Sequence, residues 1–174
     1  MTTAPLNTIV LPGNDCFGCG HDNPGGLKIE VFRDPENGER LIGTFRSAAH
    51  MNGFPNITHG GAIYTALDCL ASWTPTVLRP AVKAAGVLRS AEMRYRLPLH
   101  TGMCVSLAAW ITEETKPWKP VVVQAEARDA EGKLLTAGQF KMAPLSPERL
   151  REVAGIDRLP ENWRRLLLES PPSR

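Results

Sequence analysis

The sequence predicts an α+β fold in which a curved antiparallel sheet wraps one long helix. Three observations carry this prediction: two alternating segments near the N-terminus, one helical-period stretch from His59 to Trp73, and four strand-length segments in quick succession after it. At 174 residues the chain holds one full core rather than two domains. A hydrophobic fraction of 43% and a mean hydropathy of −0.19 describe an ordinary globular composition. The net charge is +2 with no run of like charge, so no nucleic-acid surface is expected. No apolar run approaches a membrane span, and Met1 to Leu6 lacks a basic region followed by an apolar stretch. A cytoplasmic, reducing location is the expectation, with the four cysteines as free thiols.

In chain order, residues 1–15 carry Pro5, Pro12 and Gly13 and are expected as an extended arm. Residues 16–144 are expected to form the globular domain, and 145–174 a helical tail. Cys16 to Gly26 is dense in Gly, Asn and Pro, which means successive turns. Cys16, Cys19 and His21 have half the spacing of a zinc site, but no second Cys/His pair follows. The expectation is therefore no metal, only a glycine-containing turn packing two thiols inward. Cys69 and Cys104 read as small buried hydrophobes.

Leu27, Ile29 and Val31 alternate with Lys28 and Glu30 as a strand. Asp34 to Gly38 makes a hairpin turn, and Leu41 to Phe45 returns. Ser47 to Thr58 has no periodicity and reads as a loop of the functional kind. After the helix, stopped by Thr74-Pro75, come Val87 to Leu97, Met103 to Glu113, Val121 to Arg128 and Leu134 to Met142. Their close spacing predicts an antiparallel meander. Ser146 followed by Pro147 is an N-cap with Pro at the first helical position, and Trp163 to Leu168 suggests a second short helix.

The helix carries the chemistry. Ala62, Ile63, Ala66, Leu67, Leu70 and Ala71 recur at helical spacing from a start near Gly60, and the apolar residues cover most of its circumference. Asp68 sits among them with no Lys or Arg three or four residues away. A lone carboxylate there is costly unless something pairs with it or uses it. At the other end, Gly60 and Gly61 leave the first N–H groups open to a ligand, and the helix dipole suits an oxyanion or a polarised carbonyl. Eight residues of helix separate the two features by about 12 Å. One small carbonyl cannot reach both within one subunit, so a joint site would lie across a homodimer. A sheet covering one side of an apolar helix asks for the same partner.

Three stretches resemble the hotdog-fold acyl-CoA thioesterases of the PaaI type: Cys16-Phe-Gly-Cys-Gly-His-Asp-Asn-Pro-Gly-Gly-Leu27, His59-Gly60-Gly61 with Asp68 at a nine-residue interval, and Met93-Arg94-Tyr95-Arg96-Leu97-Pro98. The resemblance covers roughly residues 16–142. It implies hydrolysis of an acyl-CoA thioester at a site shared by two subunits, without a cofactor. Gly60 N–H, helped by Gly61, would hold the thioester oxygen, and Asp68 of the other subunit would serve as general base or as nucleophile. Some members place an Asn six residues before the His; that position is Gly53 here, with Asn52 and Asn56 nearby. Some use a Ser or Thr seven residues before the strand Tyr; that position is Leu88, with Ser90 the nearest hydroxyl and, by strict alternation, on the same face.

Other expectations attach to single residues. His59 binds substrate or orients the loop before it, and Tyr64, one turn before Asp68, lines an acyl pocket or packs the core. Glu92 is an alternative acid. Arg94, Arg96, Lys116 and Lys119 are candidate contacts for CoA phosphates. A hotdog enoyl-CoA hydratase or dehydratase and a non-catalytic acyl-CoA-binding protein are the alternatives, and a dimer of dimers is as compatible with the sequence as a dimer.

Overall fold

In the computed structural model of the chain, residues 4–113 and 116–168 are described. Short strands β1 (Glu30–Arg33) and β2 (Arg40–Arg46) precede a small hairpin, β3 (Asn52–Phe54) and β4 (Ile57–Thr58). The central helix follows, then β5 (Ala85–Tyr95), β6 (Cys104–Glu113), β7 (Val121–Arg128) and β8 (Leu134–Leu145). The main sheet has six strands in the order β1-β2-β6-β7-β8-β5, every neighbouring pair antiparallel. The inward faces of β2, β6, β7 and β8 present Leu41, Phe45, Val105, Leu107, Val123, Ala125, Phe140 and Met142, all fully buried. Ile63, Ala66, Leu67, Leu70 and Ala71 of the helix complete the same core. This is the α+β arrangement expected, a sheet curved around one helix.

Several details depart from expectation. The helix runs Gly60–Leu78, through Pro75 rather than stopping there. Pro75 forfeits one backbone bond, yet Thr74 Oγ1 donates to the Leu70 carbonyl at 2.8 Å and Thr76 Oγ1 to Ser72 at 3.0 Å. Gly86 at the start of β5 then ties the last turns down, donating to Thr76 Oγ1 at 3.1 Å and accepting from Ser72 Oγ. Tertiary bonds thereby outweigh the local breaker. The meander holds for β6, β7 and β8, but β5 lies beyond β8 at the sheet edge. Its link to β6 runs beside β4, bridged at Ile57 and His100 and pinned by Thr58 N–H on the Leu99 carbonyl at 2.8 Å and Ser47 N–H on the Met103 carbonyl at 2.9 Å.

The N-terminal segment is not simply extended. Leu6–Ile9 forms a helical turn, α1, which leaves α2 as the label of the central helix (Gly60–Leu78). Asn7, buried, donates to the Cys19 and Ile29 carbonyls and accepts from Val31 N–H. The first strand begins at Glu30, not Leu27, because Lys28 takes a left-handed φ of 57°. That turn places Lys28 Nζ against the carbonyls of Gly20, His21 and Asn23. Two helices follow β8: α3 (Pro147–Ala154), capped by Ser146 Oγ, and α4 (Glu161–Leu168), which returns to the N-terminal segment through Asn162 Nδ2 and the Pro12 carbonyl at 2.7 Å.

Candidate active site at the start of the central helix

His59 is the N-cap of α2, and its Nδ1 accepts the Gly61 N–H at 2.9 Å. Gly61 is therefore engaged, with the imidazole proton on Nε2. Gly60 N–H carries no hydrogen bond among the described residues. The Gly60 carbonyl accepts the Tyr95 hydroxyl at 3.2 Å, which fastens the helix start to the end of β5. An open cavity of about 400 Å³ lies there, lined by Phe54, His59, Gly60, Ile63, Tyr95 and Arg96 among others. A second, of about 360 Å³, flanks the helix start on the side of Phe17, Asn52, Gly61 and Thr65. One unspent helix N–H beside an apolar-walled cavity can hold a carbonyl oxygen.

Asp68 lies one face round the helix. Gly61, Tyr64, Thr65, Asp68 and Ser72, none of them buried, share that face by helical spacing. Among the described residues nothing donates a hydrogen bond or forms an ion pair with the Asp68 carboxyl. Among the described residues every fully buried side-chain oxygen or nitrogen has a partner, so the unpartnered Asp68 oxygens retain access to the surface. Burial, followed by the charge at Cys16, pushes the carboxyl up to about 6. Asp68 does not line the cavity at Gly60, consistent with the roughly 12 Å of helix between them.

The other expected residues divide. Tyr64 packs its ring 5.8 Å from that of Phe140, and burial raises its phenol, with a further push from Asp68. Asn52 accepts from Thr101 Oγ1 at 2.7 Å, and Asn56 is the turn residue between β3 and β4 at a φ of 59°. A Cβ at Gly53 would sit 3.1 Å from the His59 ring, a tight contact. Ser90 is a correction. A bulge at Arg89 pairs Leu88 with Met142 but Ser90 with Lys141, so the two point to opposite faces. Ser90, Glu92 and Arg94 lie on the outer face, and Arg94 pairs with Glu92 at 3.1 Å. Arg96 borders the Gly60 cavity, whereas Lys116 and Lys119 lie with Arg79 and Trp118 at the other end of α2. Tyr95 is the site residue the sequence reading did not single out; its place in the Tyr95-x-x-Pro98 strand end was the available signal.

The cysteines also differ from expectation. Cys104 is exposed at the head of β6, and Cys69 is only half-buried. Cys69 Sγ stands 3.9 Å from Cys16 Sγ, and the sulfurs of Cys16, Cys19 and Cys69 lie within 4.8 Å of one another. His21 remains exposed.

No protein-family model matches the chain, and no curated protein sequence matches it. Solved structures do. The chain is similar to the PaaI protein of the phenylacetic acid degradation operon of E. coli, at 16% identity and a TM-score of 0.59 over 69% of this chain and 81% of that one. Thioesterase HI1161 from Haemophilus influenzae gives 17% identity and 0.62 over 74% and 85%. A hypothetical thioesterase from Streptococcus pneumoniae, solved with coenzyme A, gives 15% and 0.58 over 68% and 89%. The likeness establishes the fold as the hotdog.

Proposed function

We propose that this hotdog protein hydrolyses an acyl-CoA thioester to the free acid and CoA at a site completed by two copies of the chain. The observation that carries the reading is Asp68: an unpartnered, half-buried carboxyl on an apolar helix whose N-terminus holds one unspent N–H beside a cavity. The similar structures named thioesterases, one of them with coenzyme A, support the choice of substrate class. Among the described residues strand β5 pairs on one side only, and it exposes Val87 and Tyr95, which supports an edge-to-edge pairing with a second copy.

In this mechanism Gly60 N–H of one copy holds the thioester oxygen and stabilises the charge that develops there. Asp68 of the other copy, ionised at neutral pH but basic enough to take a proton, activates water. Water adds to the carbonyl carbon, the C–S bond breaks, and the proton passes to the departing thiolate. His59 shapes the helix start rather than transferring protons, because its Nδ1 is spent on Gly61 N–H. That engagement counts against a hydratase, which needs a free base at this position.

The test is CoA-thiol release across a panel of short, medium, long and aromatic acyl-CoAs, with Asp68→Asn beside the wild type. Turnover on at least one member, lost in the variant while the fold persists, supports the reading. Saturable acyl-CoA binding with no thiol release on any member contradicts it.

A further inference from the structure

Away from the Gly60 cavity, the turn Cys16–Cys19 is pressed onto the outer flank of α2. A Cβ added at Gly18 would lie 2.2 Å from Cys69 Sγ, so only glycine allows that approach. A Cβ at Gly20 would meet the Asn14 carbonyl and the Cys16 backbone at 2.5–2.6 Å. The two glycines of Cys16-Phe-Gly-Cys-Gly20 therefore serve one purpose, which is to bring two thiols of a turn against a third on the helix. Asn7 Nδ2 donates to the Cys19 carbonyl, and Lys28 Nζ gathers the carbonyls of Gly20, His21 and Asn23 just beyond the turn.

Three further features suit a metal. The sulfurs, all within 4.8 Å and 3.9 Å apart for Cys16 and Cys69, are close to the spacing of three thiolates around one ion at Zn–S distances of about 2.3 Å. Two N–H groups point at Cys19 Sγ, Trp73 Nε1 at 3.3 Å and Asn14 Nδ2 at 3.6 Å. A neutral thiol is a poor acceptor for such donors, whereas a metal-bound thiolate is normally oriented by them. Beside the sulfurs lies a cavity of about 100 Å³, lined also by Ser72, Thr76 and Trp163, with room for a fourth ligand.

We infer that Cys16, Cys19 and Cys69 form a binding site for a single thiophilic d¹⁰ metal ion of the zinc class, with a fourth position open to a small ligand. The site adjoins Asp68, the residue before Cys69, but does not use its carboxyl, and the inference stands whether or not the thioesterase reading holds. The thiols pass to the ion as thiolates and release their protons to solvent; no oxidation is involved.

The experiment is a titration of the reduced, metal-free full chain with Co²⁺ as spectroscopic stand-in, followed by displacement with Zn²⁺. The expected result is one equivalent of Co²⁺ with thiolate-to-cobalt charge transfer, displaced by Zn²⁺, and protection of three of the four cysteines from alkylation, leaving Cys104. Cys104→Ser should bind like the wild type, and Cys69→Ser should lose affinity on the order of 100-fold. Circular dichroism reports whether that variant still folds, and the wild-type titration decides the matter alone if it does not. Absence of a charge-transfer band at stoichiometric Co²⁺ overturns the inference. So does a wild type that closes a Cys16–Cys69 disulfide in air, with the loss of two hydrogens by mass, and takes no ion when reduced.

Discussion

At the scale of single residues, the account turns on a carboxyl that is costly to keep charged. Its value of about 6 lies above the ordinary 3.8, so the folded chain holds that proton more tightly than the unfolded one. The stability this lends is present below pH 3.8 and lost as pH rises through about 6. Asp68→Asn, which cannot ionise, should therefore be more stable than the wild type at pH 7. Discounted for partial exposure, the gain is about 1 kcal/mol, or about 2–4 °C in Tm. The advantage should shrink at pH 4. A thermal melt at both pH values checks this. Turnover has the opposite pH dependence, since the base works only when ionised: kcat/KM should fall about tenfold per unit as pH drops below about 6. His59→Asn should keep the helix start capped, Asn being a favoured N-cap, and retain thiol release within a few fold. A loss of several hundredfold would instead give His59 a direct part in the chemistry.

At the scale of elements, much was legible and the misses share a cause. The apolar repeat from Ala62 to Ala71 marked the helix, the alternation in Val121 to Arg128 marked β7 to the residue, and Ser146-Pro147 marked the start of α3. These are local patterns and local chemistry fixes them. What escaped depends on partners far along the chain. Pro75 stays helical where Gly86 ties the turns beside it, and β5 takes the far edge by pairing with β8, some forty residues further on in sequence. A single inserted residue, Arg89, was enough to turn Ser90 to the wrong face. Cys69 meets Cys16 across 53 residues, a pairing no spacing rule foretells. The docking of the cysteine turn on α2 yields a prediction of its own. Gly18→Ala should destabilise the fold by about 2 kcal/mol, because its Cβ would overlap Cys69 Sγ and the turn must lift away. Urea unfolding of Gly18→Ala against Gly25→Ala, where the nearest atom is 3.7 Å off, reads the difference.

At the scale of the whole molecule, one subunit contains both halves of the proposed chemistry but cannot apply them to the same carbonyl. Gly60 N–H and Asp68 lie on one rigid helix about 12 Å apart, and only a second copy brings one of each kind together. The exposed β5 edge offers the surface along which that copy is placed. The direct measurement is complementation between two inactive variants. Asp68→Asn removes the base. Gly60→Pro removes the N–H donor while keeping the helix, since proline is well accepted at the first helical position. Each alone should lose at least about 100-fold in kcat. Mixed dimers of the two, isolated through separate tags, hold one site with both groups intact and one with neither. The account predicts about half of wild-type thiol release from the mixed dimer. Mixed dimers as inactive as their parents would contradict it.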